Sequence, residues 1–243
     1  MHLRRAINKA VAKIGYVVSP LDTYFSFKGL LQYRLRRREE LTVVQIGAND
    51  GVSFDPLHDF IIEHKDRVRG ILVEPMKDAF EQLTRTYRAF PRLTLVNAAI
   101  HNTETSMTLY RVDPARLAEL PSTARGIASF NKDHHLLSET PSGCIIEEQV
   151  PCVSLDALLR AHGIDEFDLL QVDTEGYDSA IILDLDLTKT RPGIIRFEHG
   201  LPDGVMSSEC FQRVTDHLNA HGYQLMVEGY DATAILPLQL RWG

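Results

Sequence analysis

The chain is short of cysteine, of long apolar runs and of a glycine-rich phosphate loop, and each shortage excludes something. Cys144, Cys152 and Cys210 are an odd set without C-x-x-C spacing. That argues against a disulfide scaffold or a cysteine-built metal cluster, and a reducing, cytoplasmic setting is expected. No stretch is apolar for long enough to cross a bilayer, and Met1-His2-Leu3-Arg4-Arg5 lacks the apolar segment of a secretion signal. Basic charge is scarce outside the N-terminus. Nine Lys/Arg and three Asp/Glu give residues 1–40 a charge of +6, while 17 and 30 give the rest −13. So acidic a body lacks the footprint for nucleic acid. The basic stretch ending in Arg34, Arg36, Arg37 and Arg38 is read as a solvated helical cap; peripheral contact with an anionic membrane surface and packing on a second subunit are the alternatives.

What the chain does have is a β/α rhythm. A composition of 44% hydrophobic and 24% charged residues fits one globular domain, residues 41–243, preceded by a helical extension, residues 1–40. In the extension, Ile7, Val11 and Ile14 have helical spacing, and Ser19-Pro20-Leu21-Asp22 signals a second helix over about 23–40. Strands are expected at 42–47, 70–74 and 93–98. Between them lie helices marked by Leu57, Phe60, Ile61 and Ile62, then by Phe80, Leu83 and Tyr87. The rhythm breaks between 100 and 150. Ser106–Tyr110 alternates like a strand, but Pro114, Pro121, Gly126, Pro141 and Gly143 follow, so 110–145 is expected to be a substrate or lid insertion. A strand at 147–153, a helix from Ser154, strands ending at Asp173 and Glu198, a helix near 207–221 and strands at 223–228 and 232–238 complete the α/β pattern.

Function is written at the strand ends. Val43-Val44-Gln45-Ile46-Gly47-Ala48-Asn49-Asp50-Gly51 is an apolar run closing in a glycine-bracketed turn, and Gly70-Ile71-Leu72-Val73-Glu74-Pro75 ends in an acid. In an open α/β sheet, ligands bind at the carboxyl ends of strands, and an acid there can accept both ribose hydroxyls. The loop is not G-x-G-x-x-G, and Asp50 would repel a pyrophosphate. A carboxylate suits an ammonium or sulfonium group, which favours S-adenosylmethionine over a nicotinamide or a nucleotide triphosphate. Phe167–Asp178 and Gly193–Gly200 repeat the pattern. Asp50, Glu74, Asp173, Glu175, Glu198 and His199 are therefore expected along one crevice.

The four blocks VVQIGANDG, GILVEP, DLLQVDTEGYD and IIRFEH, with VPCVSLDALL before the third, resemble the FkbM-type S-adenosylmethionine-dependent methyltransferases over about residues 41–200. The resemblance implies a Rossmann-like class I methyltransferase fold: a seven-stranded, mostly parallel sheet flanked by helices, with an antiparallel last strand. It implies that Gly47, Ala48, Asn49, Asp50 and Gly51 surround the methionine portion of the cofactor and that Glu74 holds the ribose, with Pro75 beside the adenine. Asn97 and Ala98 would border the adenine, and Asp173 would lie near the methionine amine or the acceptor.

The expected reaction is methyl transfer to a hydroxyl of a small molecule, a glycan or a lipid-linked saccharide. N-methylation of a small amine or peptide, and a cofactor-binding module without turnover, are the alternatives. An alcohol must lose a proton, which calls for a base or a metal. His199, beside Glu198, is one candidate base, and His134 and His135 are others. Asp173, Glu175 and Glu198 could share a divalent cation, but no ligand spacing compels it and no metal site is assigned.

Overall fold

The computed structural model describes residues 26–237. The helix expected over residues 1–14 lies outside them. The chain divides between Glu40 and Leu41 into two compact units, each described by itself. In the first, Ser26 caps helix α1 (Phe27–Leu35), its hydroxyl accepting the Gly29 N–H at 3.1 Å. The helix stops short of Glu40 because Arg36-Arg37-Arg38-Glu39-Glu40 offers no apolar residue to extend the Phe27, Leu31, Leu35 stripe.

The second unit opens with β1 (Leu41–Ile46), α2 (His58–Glu63), β2 (Val68–Val73), α3 (Lys77–Tyr87) and β3 (Leu93–Val96). Next come β4 (Ala99–Ile100), β5 (Ser106–Val112), β6 (Ala128–Ser129) and β7 (Ile145–Val153). It closes with α4 (Leu155–Ala161), β8 (Leu169–Val172), α5 (Asp178–Asp184), β9 (Ile194–Glu198), α6 (Ser208–Ala220), β10 (Gln224–Val227) and β11 (Asp231–Ile235). Seven strands form one sheet in the order β10-β11-β9-β8-β1-β2-β3. β11 runs antiparallel to both neighbours, and the other pairs are parallel. This is the α/β Rossmann-like arrangement that the strand pattern led us to expect. The chain steps outward from β1 in one direction through β2 and β3, and in the other through β8 and β9. The gap between β1 and β8 is therefore the switch point at which such sheets bind ligands.

The two faces of this sheet differ in chemistry. On one, Val44, Ile46, Val73, Val172, Ile195 and Phe197 pack against α4 (Leu158, Leu159), α5 (Ile181, Ile182) and α6 (Val214, Leu218). Each large aliphatic side chain so buried contributes roughly 1.5–3 kcal/mol. On the other, the strand register sets Gln45 beside Gln171, Gln171 beside Arg196, and Arg196 beside Thr233. All four are buried. This polar rung lies one or two residues below the carboxyl ends of the parallel strands.

A second sheet, in the order β4-β7-β5-β6, holds the strand at 147–153, which does not join the main sheet. β5 and β7 pair antiparallel from Ser106↔Pro151 to Val112↔Ile145. The segment between them carries short 3-10 turns at Pro114–Glu119, Ser122–Gly126, His134–Ser138 and Ser142–Cys144. The small sheet is fastened to α3. Met76 and Ala79 pack with Ala99, Leu109 and Val150, and the buried Arg111 guanidinium donates to Asp78 at 2.5 and 2.9 Å and to Glu148 at 2.8 Å. Among the described residues no helix is long and apolar enough to cross a membrane.

Candidate functional site

The turn after β1 is shaped by close backbone approach. Gly47 has φ +81°, and a Cβ there would lie 1.7 Å from the carbonyl oxygen of Asp173, so the β1 turn and the end of β8 touch main chain to main chain. Asn49 follows at φ +48°, a left-handed conformation that asparagine tolerates better than most residues. Gly51 (φ +73°) is required for a different reason: a Cβ would meet the rings and methyls of Tyr87 and Leu83 on α3. It serves packing beneath the loop and does not line the cavity.

That cavity, of about 520 Å³, opens along the carboxyl edge of β1, β2, β8 and β9. Gly47, Ala48, Asn49, Glu74 and Pro75 line one part of it, with Met76, Ala99, Ile100 and Leu109 supplying apolar walls. Asp173, Glu175 and Glu198 line the other part, and Ile127, His134 and Leu137 reach it from the segment between β5 and β7. Phe130 and Tyr177, whose rings meet edge to face at 5.3 Å, form an aromatic wall.

Not every residue singled out in the sequence is there. Asp50 turns back on its own loop: its Oδ1 accepts the N–H groups of Val52 (2.9 Å) and Ser53 (2.7 Å), and its Oδ2 the Ser53 hydroxyl. Partial burial works upward on this carboxyl, but those hydrogen bonds outweigh it and hold it below the usual range. Asn97 donates through Nδ2 to the carbonyls of Glu74 and Pro75, at 2.9 and 3.0 Å, so it ties the end of β3 to the β2 turn. Ala98 is buried and, like Asn97, is not part of the cavity wall.

Glu74 is buried to 2% exposure at the end of β2. Its Oε2 accepts the Asn49 N–H and its Oε1 the Met76 N–H, both at 2.8 Å. Burial pushes its pKa up to about 7, against the pull of those two N–H groups and of Arg111. At the other end the carboxyls crowd together. Asp173, Glu175 and Glu198 each offer an oxygen within 4.8 Å of the others. Burial first, then Asp178 and Glu175, holds Asp173 well above the normal carboxyl range. Burial and the neighbours Asp173 and Glu175 push Glu198 to about 9. Asp178, just below, is spent on structure, accepting from the Thr174 and Glu198 N–H groups and the Thr174 hydroxyl.

The histidines separate clearly. His199 is 2% exposed; its Nδ1 accepts the Leu201 N–H and its Nε2 donates to the Glu228 carbonyl, both at 3.1 Å. Both ring nitrogens serve the β9–α6 and β10–β11 connections, and the ring does not reach the cavity. His135 is likewise occupied, with Lys132 O and Ser142 Oγ. His134 is different. It lines the cavity, and its Nε2 is 2.7 Å from Glu175 Oε2. Glu175, at φ +53°, also holds the same segment through its carbonyl, which accepts the Ser129 hydroxyl at 2.7 Å.

Gln45, Asp55, Gln171 and Asp231 also line the cavity, and none of them was singled out in the sequence. The signal for Asp231 lay in the antiparallel last strand, whose first residue necessarily meets the carboxyl edge of the parallel ones. It pairs in register with Glu198.

The chain matches the family model described as the methyltransferase FkbM domain over residues 45–225. No curated protein matches it. Among solved structures it is similar to a precorrin-6y C5,15-methyltransferase from Geobacter metallireducens, at 14% identity and a TM-score of 0.43, with 90% of this chain and 94% of that one covered. A putative RNA methyltransferase from Pyrococcus horikoshii aligns at 12% identity and 0.42, covering 99% and 100%. The Aeropyrum pernix fibrillarin, solved with natively bound S-adenosyl-L-methionine, aligns at 14% and 0.40, covering 81% and 66%. The glycine turn after β1, the buried acid ending β2 and the family match over most of the chain lead to one conclusion: the protein belongs to the FkbM methyltransferases and is an S-adenosylmethionine-dependent enzyme.

Proposed function

We propose that the enzyme methylates a hydroxyl group of a small molecule, a glycan or a lipid-linked saccharide, with His134 as the general base. The observation that carries this reading is the 2.7 Å contact between His134 Nε2 and Glu175 Oε2 on the cavity wall. A carboxylate accepting from Nε2 keeps the proton on that nitrogen, so Nδ1 is the basic one, and the carboxylate stabilises the imidazolium formed later.

The residues of the β1–β2 end fit the cofactor. Glu74 is a buried carboxylate suited to two ribose hydroxyls, and Met76, Ile100 and Leu109 make an apolar slot suited to adenine. Gly47, Ala48 and Asn49 would present main chain to the methionine portion, with Asp173 close by. When bound, S-adenosylmethionine supplies an electrophilic methyl on a sulfonium sulfur. His134 would take the acceptor's O–H proton at Nδ1 and so expose the oxygen lone pair to that methyl group. The segment carrying Ile127, His134 and Leu137 excludes water and orients the acceptor.

N-methylation is the second reading, favoured by the crowded carboxyls of Asp173 and Glu198, which could hydrogen-bond a neutral amine. The separating experiment compares His134→Ala with wild type on hydroxyl and amine acceptors, together with cofactor titration. Under the hydroxyl reading, kcat falls by about 100-fold or more while cofactor affinity is unchanged. Turnover of an amine that persists in the variant would favour the second reading.

A further inference from the structure

We propose that Asp173, Glu175 and Glu198 form a binding site for one hard divalent cation of the Mg²⁺ or Mn²⁺ class, at the β8–β9 end of the cavity. The three carboxylates come from separate backbone positions that the fold forces together. Asp173 directly follows β8, Glu198 ends the adjacent β9, and Glu175 is turned back by its left-handed backbone, φ +53°. One oxygen from each lies within 4.8 Å of the other two. Oxygens on opposite sides of a cation bonded at about 2.0–2.6 Å are about 4–5 Å apart, so the set can close on one ion with little movement.

Two further atoms point to a missing ligand. Gln171, only 3% exposed, lines the same cavity two residues before Asp173 on β8, and its Oε1 has no hydrogen-bond partner among the described residues. Glu198 Oε2 is buried and equally unpartnered. The amide oxygen of Gln171 is an acceptor, so what it lacks is a donor or a cation. Among the described residues, the cations nearby are committed elsewhere. Arg196 donates to Glu228 at 2.6 Å and to Asp231 at 2.7 Å, and His134 meets only the Glu175 oxygen. Carboxyl and amide oxygens suit Mg²⁺, Mn²⁺ or Ca²⁺ rather than a soft metal, with water completing the shell. The site does not depend on whether the acceptor is an alcohol.

The test is a titration of the whole purified chain with Mn²⁺ at pH 7.5, followed by electron paramagnetic resonance, with no cofactor or acceptor present. The expected result is one Mn²⁺ per chain, displaced by excess Mg²⁺ and bound more than about 30-fold more weakly by Glu198→Gln and by Glu175→Gln. Calorimetric titration of the same variants with S-adenosylmethionine verifies that they are folded, and it keeps the cation site separate from the methyltransferase reading. No stoichiometric Mn²⁺ in the wild type, or binding that both substitutions leave unchanged, overturns the proposal.

Discussion

The two ends of the cavity treat their carboxyls in opposite ways. At the end of β2, Glu74 is almost fully buried, yet each of its oxygens accepts a backbone N–H. At the ends of β8 and β9, Asp173 and Glu198 are crowded against other acids, and Glu198 Oε2 has no partner among the described residues. The first end is finished by the protein's own main chain, and a ligand there meets a rigid, prepared acceptor. The second end is built of acids from separate elements that crowd one another. Preorganisation of this kind favours a constant ligand at one end and leaves the other to define the reaction.

The largest expected effect breaks the second end. His134→Ala should lower kcat by about 100- to 10,000-fold in steady-state assays, with the cofactor dissociation constant unchanged. His199→Gln should leave kcat within a fewfold of wild type, because its ring is committed to Leu201 and Glu228. Next is the first end. Glu74→Ala should weaken S-adenosylmethionine by about 2 kcal/mol or more, about 30-fold, in calorimetric titration. Asp50→Ala, by contrast, should keep cofactor affinity within about threefold and lose about 1 kcal/mol of stability through its loop hydrogen bonds.

A pH experiment sharpens the same contrast more gently. Burial raises Glu74 to about 7 in the folded protein. Between its unfolded value near 4.5 and about 7, the folded state holds more protons than the unfolded one. Its contribution to stability is therefore fully present below about 4.5 and is lost as pH rises through 7. Melting temperatures of wild type and Glu74→Gln, compared from pH 5 to 8, should show the steeper decline in wild type. Cofactor affinity should move the other way, rising as Glu74 ionises to accept both hydroxyls.

Much of the fold was legible because its signals are local. The apolar runs at 42–47 and 70–74 became β1 and β2 within about two residues, and the terminal pair became β10 and β11. The small sheet was not legible: β5 and β7 are each recognisable, but their pairing across some forty residues leaves no periodicity. At the site, Glu74 was legible because an acid at a strand end must face the carboxyl edge. Asp50 and His199 sit at equally suggestive positions, yet side-chain direction in a turn depends on which N–H groups lie within reach. The contact between His134 and Glu175 spans 41 residues, and no spacing in the sequence encodes it.

The carbonyl of Asp173 pressed against Gly47 carries one more consequence. Because the two ends of the cavity meet through main chain, their separation works as a fixed gauge that side-chain replacement cannot reset. Replacing lining residues such as Ile127 or Leu137 would reshape the cavity while the distance between the β1 turn and the end of β8 stays constant. Position 47 itself is where that freedom ends.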